Sequence, residues 1–130
     1  MKAISIQEPY ASLIAYGYKK IETRSWATKY RGEILIHASK SKKYLQNIKD
    51  ENILDLIKKI NLSYGKILCK ATIVDCIKMD DKFISKIKTK PEYILGIYEI
   101  GRYAWVLENI QLLTCPIEVN GKLNIWEYNI

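Results

Sequence analysis

At 130 residues, with 48% hydrophobic and 27% charged side chains, the chain has the proportions of one folded domain and lies outside the polar, highly charged range in which chains stay disordered. Its longest apolar runs, residues 11–15 and 103–107, fall far short of the roughly 20 residues of a helical membrane span, and no apolar stretch follows Met1-Lys2-Ala3-Ile4 as a secretory signal requires, so a cytoplasmic protein without a membrane partner is expected. A formal charge of +7 and a pI of about 9.2 favour a polyanionic partner, while runs such as Lys40, Lys42, Lys43 and Lys82, Lys86, Lys88, Lys90 fit an uncommitted solvated face equally well.

Residues 2–7 read as a strand that ends at Glu8-Pro9. Pro9 is placed as the first residue of a helix of about two turns, with Tyr10, Leu13 and Ile14 at helical spacing and Gly17 as its stop. Residues 19–26 then alternate, Ile21 and Thr23 on one side and Lys20, Glu22 and Arg24 on the other, which predicts a half-buried strand. The same alternation puts Lys19 with Ile21 on the core side, so a bend at Gly17 has to turn it outward. Residues 33–38 form a further short strand after the Arg31-Gly32 turn.

The lysine-rich stretch 41–60 carries Leu45, Ile48, Ile53, Leu56, Ile57 and Ile60 at spacings of three and four, which predicts one or two surface helices with a break near Asp50. Strands follow at 66–76, 102–113 and 123–128, with a short helix over 80–88 that turns Phe83, Ile84 and Ile87 inward. Three cysteines, Cys69, Cys76 and Cys115, form no CxxC pair and have no histidine partners at ligand spacing, so neither a metal site nor a cofactor is expected, and Cys69 and Cys76 read as small core residues. No repeat or linker divides the chain, so the expected architecture is α+β: a single domain over residues 1–130, built as a small β-barrel with a short helix after the first strand and additional surface helices.

The functional signal is Gly17-Tyr18-Lys19-Lys20-Ile21-Glu22-Thr23-Arg24, which fits the pattern GxKxxExR. With Ser5-Ile6-Gln7-Glu8-Pro9-Tyr10-Ala11, Tyr30-Arg31-Gly32, Ile36-His37-Ala38, Gly101-Arg102-Tyr103-Ala104-Trp105 and Gly121-Lys122-Leu123 ahead of Trp126, it resembles the ASCH family of PUA-like domains along nearly the whole chain. The resemblance implies a PUA-like barrel with a nucleic-acid or nucleotide cleft between the first helix and the barrel. Within that cleft Lys19 offers a compact charge to phosphate or a base carbonyl, and Arg24 a planar fork for phosphate or a base. Glu22, which would repel phosphate, suits a base amino group, a proton shuttle or a clamp on Arg24, two residues along the same strand face. Outside a family pattern, such a Glu-x-Arg pair is usually a surface salt bridge worth about 0–1 kcal/mol.

Tyr10, Tyr18 and Trp26 are candidate stacking surfaces, whereas Trp105 and Trp126 read as barrel padding. His37, the only histidine, is either packed and hydrogen-bonded or a general base. Glu8 stands where many relatives have glutamine before the proline, and in the cleft it would favour a base amino group over phosphate. Two classes of function follow from the resemblance. One is a binding module for RNA, single-stranded nucleic acid or a nucleoside. The other is a small hydrolase acting on N4-acetylcytidine or on RNA, with Lys19 and Glu22 as its catalytic pair. Amidohydrolases of this kind carry a threonine where Glu22 stands, and Thr23 lies on the opposite strand face, which favours the binding module.

Overall fold

A computed structural model describes residues 1–130 and contains six strands: β1 (Lys2–Ile6), β2 (Ile21–Arg24), β3 (Gly32–Ala38), β4 (Lys66–Lys78), β5 (Tyr103–Glu118) and β6 (Ile125–Glu127). Four short helices join them: α1 (Tyr10–Ala15), α2 (Lys43–Asn47), α3 (Glu51–Ile57) and α4 (Asp81–Ile87), with a 3-10 turn at Pro91–Leu95. The strands form one sheet in the order β2-β5-β4-β3-β1-β6, curled into the half-barrel of an α+β fold. Only β1 and β3 run parallel, Ala3 beside Leu35 and Ser5 beside His37. Their carboxyl ends therefore open on the same rim of the sheet.

Both faces of the β1–β3 pair are covered, which explains their near-continuous apolar character. One face contributes Ile4, Ile6, Ile34 and Ile36 to the main core, where they meet Ala11 and Ile14 of α1 and Trp105 of β5. The other contributes Ala3 and Leu35 to a smaller cluster closed by Ile67 and Trp126. Each fully buried leucine or isoleucine among them stabilises the fold by about 1.5–3 kcal/mol. Helix α1 buries five of its six residues, which holds its position against the sheet although it is too short to persist alone. Pro9, expected as the first helical residue, sits instead at the N-cap, one residue ahead of Tyr10, where the helix begins.

The break expected near Asp50 is present, because the Asp50 carboxylate accepts from the backbone N–H of Asn52 at 2.8 Å and of Ile53 at 3.3 Å and so starts α3 afresh. Asp80 caps α4 in the same way through Phe83 N at 2.8 Å. The motif strand is shorter than the alternation predicts, four residues instead of eight, since β2 pairs only with residues Tyr103 to Val106 of β5. No helix is long and apolar enough to cross a membrane. The three cysteines are free: Cys69 is buried in the core, with its thiol pushed up to about 12 by desolvation, Cys76 is half-buried and Cys115 is exposed.

Candidate nucleotide pocket

A cavity of about 710 Å³ opens where the carboxyl ends of β1 and β3 meet α1, β2, residues 95–97 and the segment 120–124. That volume falls within the range of small-molecule sites. Its lining includes five basic side chains, Lys19, Arg24, Lys40, Arg102 and Lys122, and a single carboxylate, Glu22.

The floor comes from the GxKxxExR motif. After α1 the chain reverses at Gly17, whose φ of +87° lies in the left-handed region that glycine enters without steric cost, and the N–H groups of Tyr18 and Lys19 both return to Leu13 O. The reversal points Lys19 inward. Its side chain is 1% exposed, with Nζ donating to Ile21 O at 2.5 Å and Leu95 O at 2.6 Å and lying 3.8 Å from Glu22 Oε1. Burial lowers the Lys19 pKa, with the attraction of Glu22 and Glu92 opposing that shift. The outward-turned lysine of an open cleft is thus corrected: strand alternation does not reach Lys19, which lies before β2 in a turn, and turn geometry fixes its direction.

Glu22 links two cations. Its Oε2 accepts from Arg24 Nε at 2.9 Å while Oε1 faces Lys19, and Arg24 also donates through Nη2 to Ser5 O at 3.0 Å. The clamp expected from the spacing of Glu22 and Arg24 is therefore formed, and at 8% exposure for Glu22 it is no surface salt bridge. The edge of β2 is sutured by residues without an assigned role in the sequence: Glu92 accepts from Lys20 N at 2.8 Å and Ile21 N at 3.3 Å, and Thr23 Oγ1 accepts from Ile97 N at 3.0 Å.

Three other expectations are revised. Glu8 is fully buried but turned away from the cavity, accepting from Ser12 N at 2.7 Å, from Ser12 Oγ and from Ser63 N at 2.9 Å, so it ties the start of α1 to the loop before β4. Strand alternation across the Glu8–Pro9 turn gives the cavity to Gln7 instead. Trp26 lies outside the cavity and packs edge-on against Trp105 with ring centroids 4.8 Å apart, since the chain leaves β2 at Arg24 and folds back over the core. Tyr18, in the turn after α1, is exposed and does not line the cavity. Tyr10 does line it, with Lys19 Nζ 5.7 Å from the ring centroid, as does His37.

His37 is 1% exposed and hydrogen-bonded at both nitrogens, to Ser5 Oγ at 3.0 Å and Val119 O at 2.7 Å. The opposite wall, residues 120–124, is absent from the candidate residues of the sequence. Only the Gly121-Lys122 piece of the family pattern pointed to it, and nothing local in a loop states which surface it will cover.

The ASCH domain family model matches residues 4–116, and the chain belongs to that family. It is 22% identical over 125 residues to human activating signal cointegrator 1 and 21% identical to the mouse protein, covering 95% of this chain but 22% of each relative. The chain thus spans about a fifth of the length of those curated relatives. Among solved structures, the ASCH protein of Zymomonas mobilis superposes with a TM-score of 0.65 at 15% identity, over 98% of this chain and 87% of that one. A tyrosine-to-phenylalanine mutant of the Zymomonas mobilis protein gives 0.57 at 17% identity, over 90% and 74%. These likenesses establish the fold.

Proposed function

We propose that residues 1–130 act as one domain that binds a nucleotide, free or as a unit of single-stranded RNA, in the cytoplasm. The observation that carries this reading is the cavity itself: about 710 Å³, five cations to one carboxylate, and the Tyr10 ring in its wall. Arg24, held by Glu22 and Ser5 O, presents a pre-oriented guanidinium whose remaining N–H groups suit phosphate or a base edge. Lys40, Arg102 and Lys122 supply further phosphate partners around it, and Tyr10 offers a stacking face worth about 1–3 kcal/mol per base. Lys19 sets the geometry of the floor, two of its protons being committed to backbone carbonyls. The test is titration with nucleoside monophosphates and short single-stranded RNA at two salt concentrations. Affinity should fall as salt rises, and absence of binding to every probe at low salt rejects the reading.

One observation favours hydrolysis as a second reading. Lys19 Nζ and Glu22 Oε1 lie 3.8 Å apart at the floor of the cavity, the proximity that a cooperating cation and carboxylate base need. In this reading Glu22 takes a proton from water attacking N4-acetylcytidine or RNA, and Lys19 faces the developing oxyanion. Glu22→Gln should then abolish release of acetate or RNA fragments while substrate still binds; a parent protein without turnover leaves the binding module alone.

A further inference from the structure

The cavity holds a second chemical group that the binding reading does not use. We infer that Ser5 and His37 form a nucleophile and base pair able to accept an acyl group from a small ester or amide. Ser5 and His37 are register partners on the parallel β1 and β3, which places both side chains on the same sheet face at the cavity wall. Ser5 Oγ lies 3.0 Å from His37 Nδ1, within the separation of an activated hydroxyl and its base.

The partner of the other ring nitrogen decides the tautomer. Val119 O, 2.7 Å from Nε2, can only accept, so Nε2 carries the proton and neutral His37 keeps its lone pair on Nδ1, facing the hydroxyl. Burial lowers the His37 pKa and favours this neutral form, Lys40 acting in the same sense and the Val119 bond against it. The carbonyl does here what a third residue does in a triad: it fixes ring and tautomer. Trp126 Nε1 donates to Ser5 Oγ at 3.2 Å, a bond that strengthens as the oxygen gains negative charge. Arg24, bonded to Ser5 O, brings a cation into the same wall.

Gly121 completes the arrangement. A Cβ there would collide with Ser5 Oγ and stand 2.7 Å from His37 Cε1 and 2.9 Å from Nδ1, so only glycine lets the 119–124 segment seat over the pair. In the reaction, Ser5 Oγ attacks the acyl carbon as its proton passes to Nδ1. The bond to the leaving oxygen or nitrogen breaks and that atom takes the proton, leaving an acyl ester on Ser5. Water then attacks the ester carbon, gives a proton to Nδ1 and releases the acid as Oγ recovers its hydrogen.

The test uses the full chain and 4-nitrophenyl acetate, with 4-nitrophenolate release followed optically and the acetyl group located by peptide mass mapping after an acid quench. The expected result is one acetyl per chain on Ser5, absent in Ser5→Ala and formed on the order of 10²-fold more slowly in His37→Gln. Acetyl groups confined to lysines or to the N-terminus, or a burst unchanged in Ser5→Ala, overturn the inference. Because this readout needs no nucleotide, failure of nucleotide binding leaves it intact, and the reverse holds as well.

Discussion

The two walls of the cavity are held by different physics. The floor, from Lys19 to Arg24, is a chain of charges, Lys19 to Glu22 to Arg24, in which Ile21 O and Leu95 O hold Lys19, Ser5 O holds Arg24, and the other Arg24 N–H groups stay open to a ligand. The opposite wall, residues 119–124, is anchored at Val119, which packs on the smaller core cluster and bonds Gly65 O and His37, and beyond it rests on Lys40 to Asn120 at 2.5 Å and includes Leu123, which is 89% exposed. Removing one member of a buried charge network strands the others, whereas a loop held by separate hydrogen bonds, none of them to a buried charge, loses about 0.5–1.5 kcal/mol per neutral bond. A fixed floor facing a lightly fastened wall suits a site that keeps its recognition geometry while its opening adjusts.

The sharpest way to break this contrast is Lys19→Ala, which leaves Ile21 O and Leu95 O unpaired and Glu22 short of a cation; chemical denaturation should show a loss of about 3–5 kcal/mol. A loss below about 1 kcal/mol would show that the floor is not a buried network. Gly121→Ala acts on the other wall. The added methyl meets Ser5 Oγ and the His37 ring, and the segment should shift at a cost of about 1–3 kcal/mol with nucleotide affinity lowered alongside; unchanged affinity by calorimetry would separate that wall from the site.

Arg24→Ala should weaken nucleotide binding by about 1.5–3 kcal/mol, the value of a charge-assisted hydrogen bond, with a smaller salt dependence left behind. Equal losses for nucleoside and nucleotide would place Arg24 on the base instead of the phosphate. His37 gives a gentler, pH-dependent effect. Its folded pKa is depressed below the ordinary 6.5, so the unfolded chain binds more protons in that window. The stability it contributes is present above pH 6.5 and is lost as pH falls through the folded value, and thermal melts of His37→Gln between pH 7 and 5 should lack that slope. The smallest effect belongs to the exposed lysines far from either wall: Lys86→Ala should change stability and affinity by less than about 0.5 kcal/mol.

The order of strands and helices, the helix restart at Asp50, the inward side of α4 and the bond between Glu22 and Arg24 were all legible in the chain, because each follows from spacing along one element or from a local cap. The directions of Lys19, Glu8 and Trp26 were not. Each stands in a turn or just past a strand end, where the period-2 rule lapses and contacts 55 to 79 residues away, Lys19 with Leu95, Glu8 with Ser63 and Trp26 with Trp105, decide which way the side chain points. The wall of residues 119–124 and the pairing of Ser5 with His37 likewise came only from the tertiary structure, since the parallel register of β1 and β3 and the seating of a loop over it are set by packing at long range.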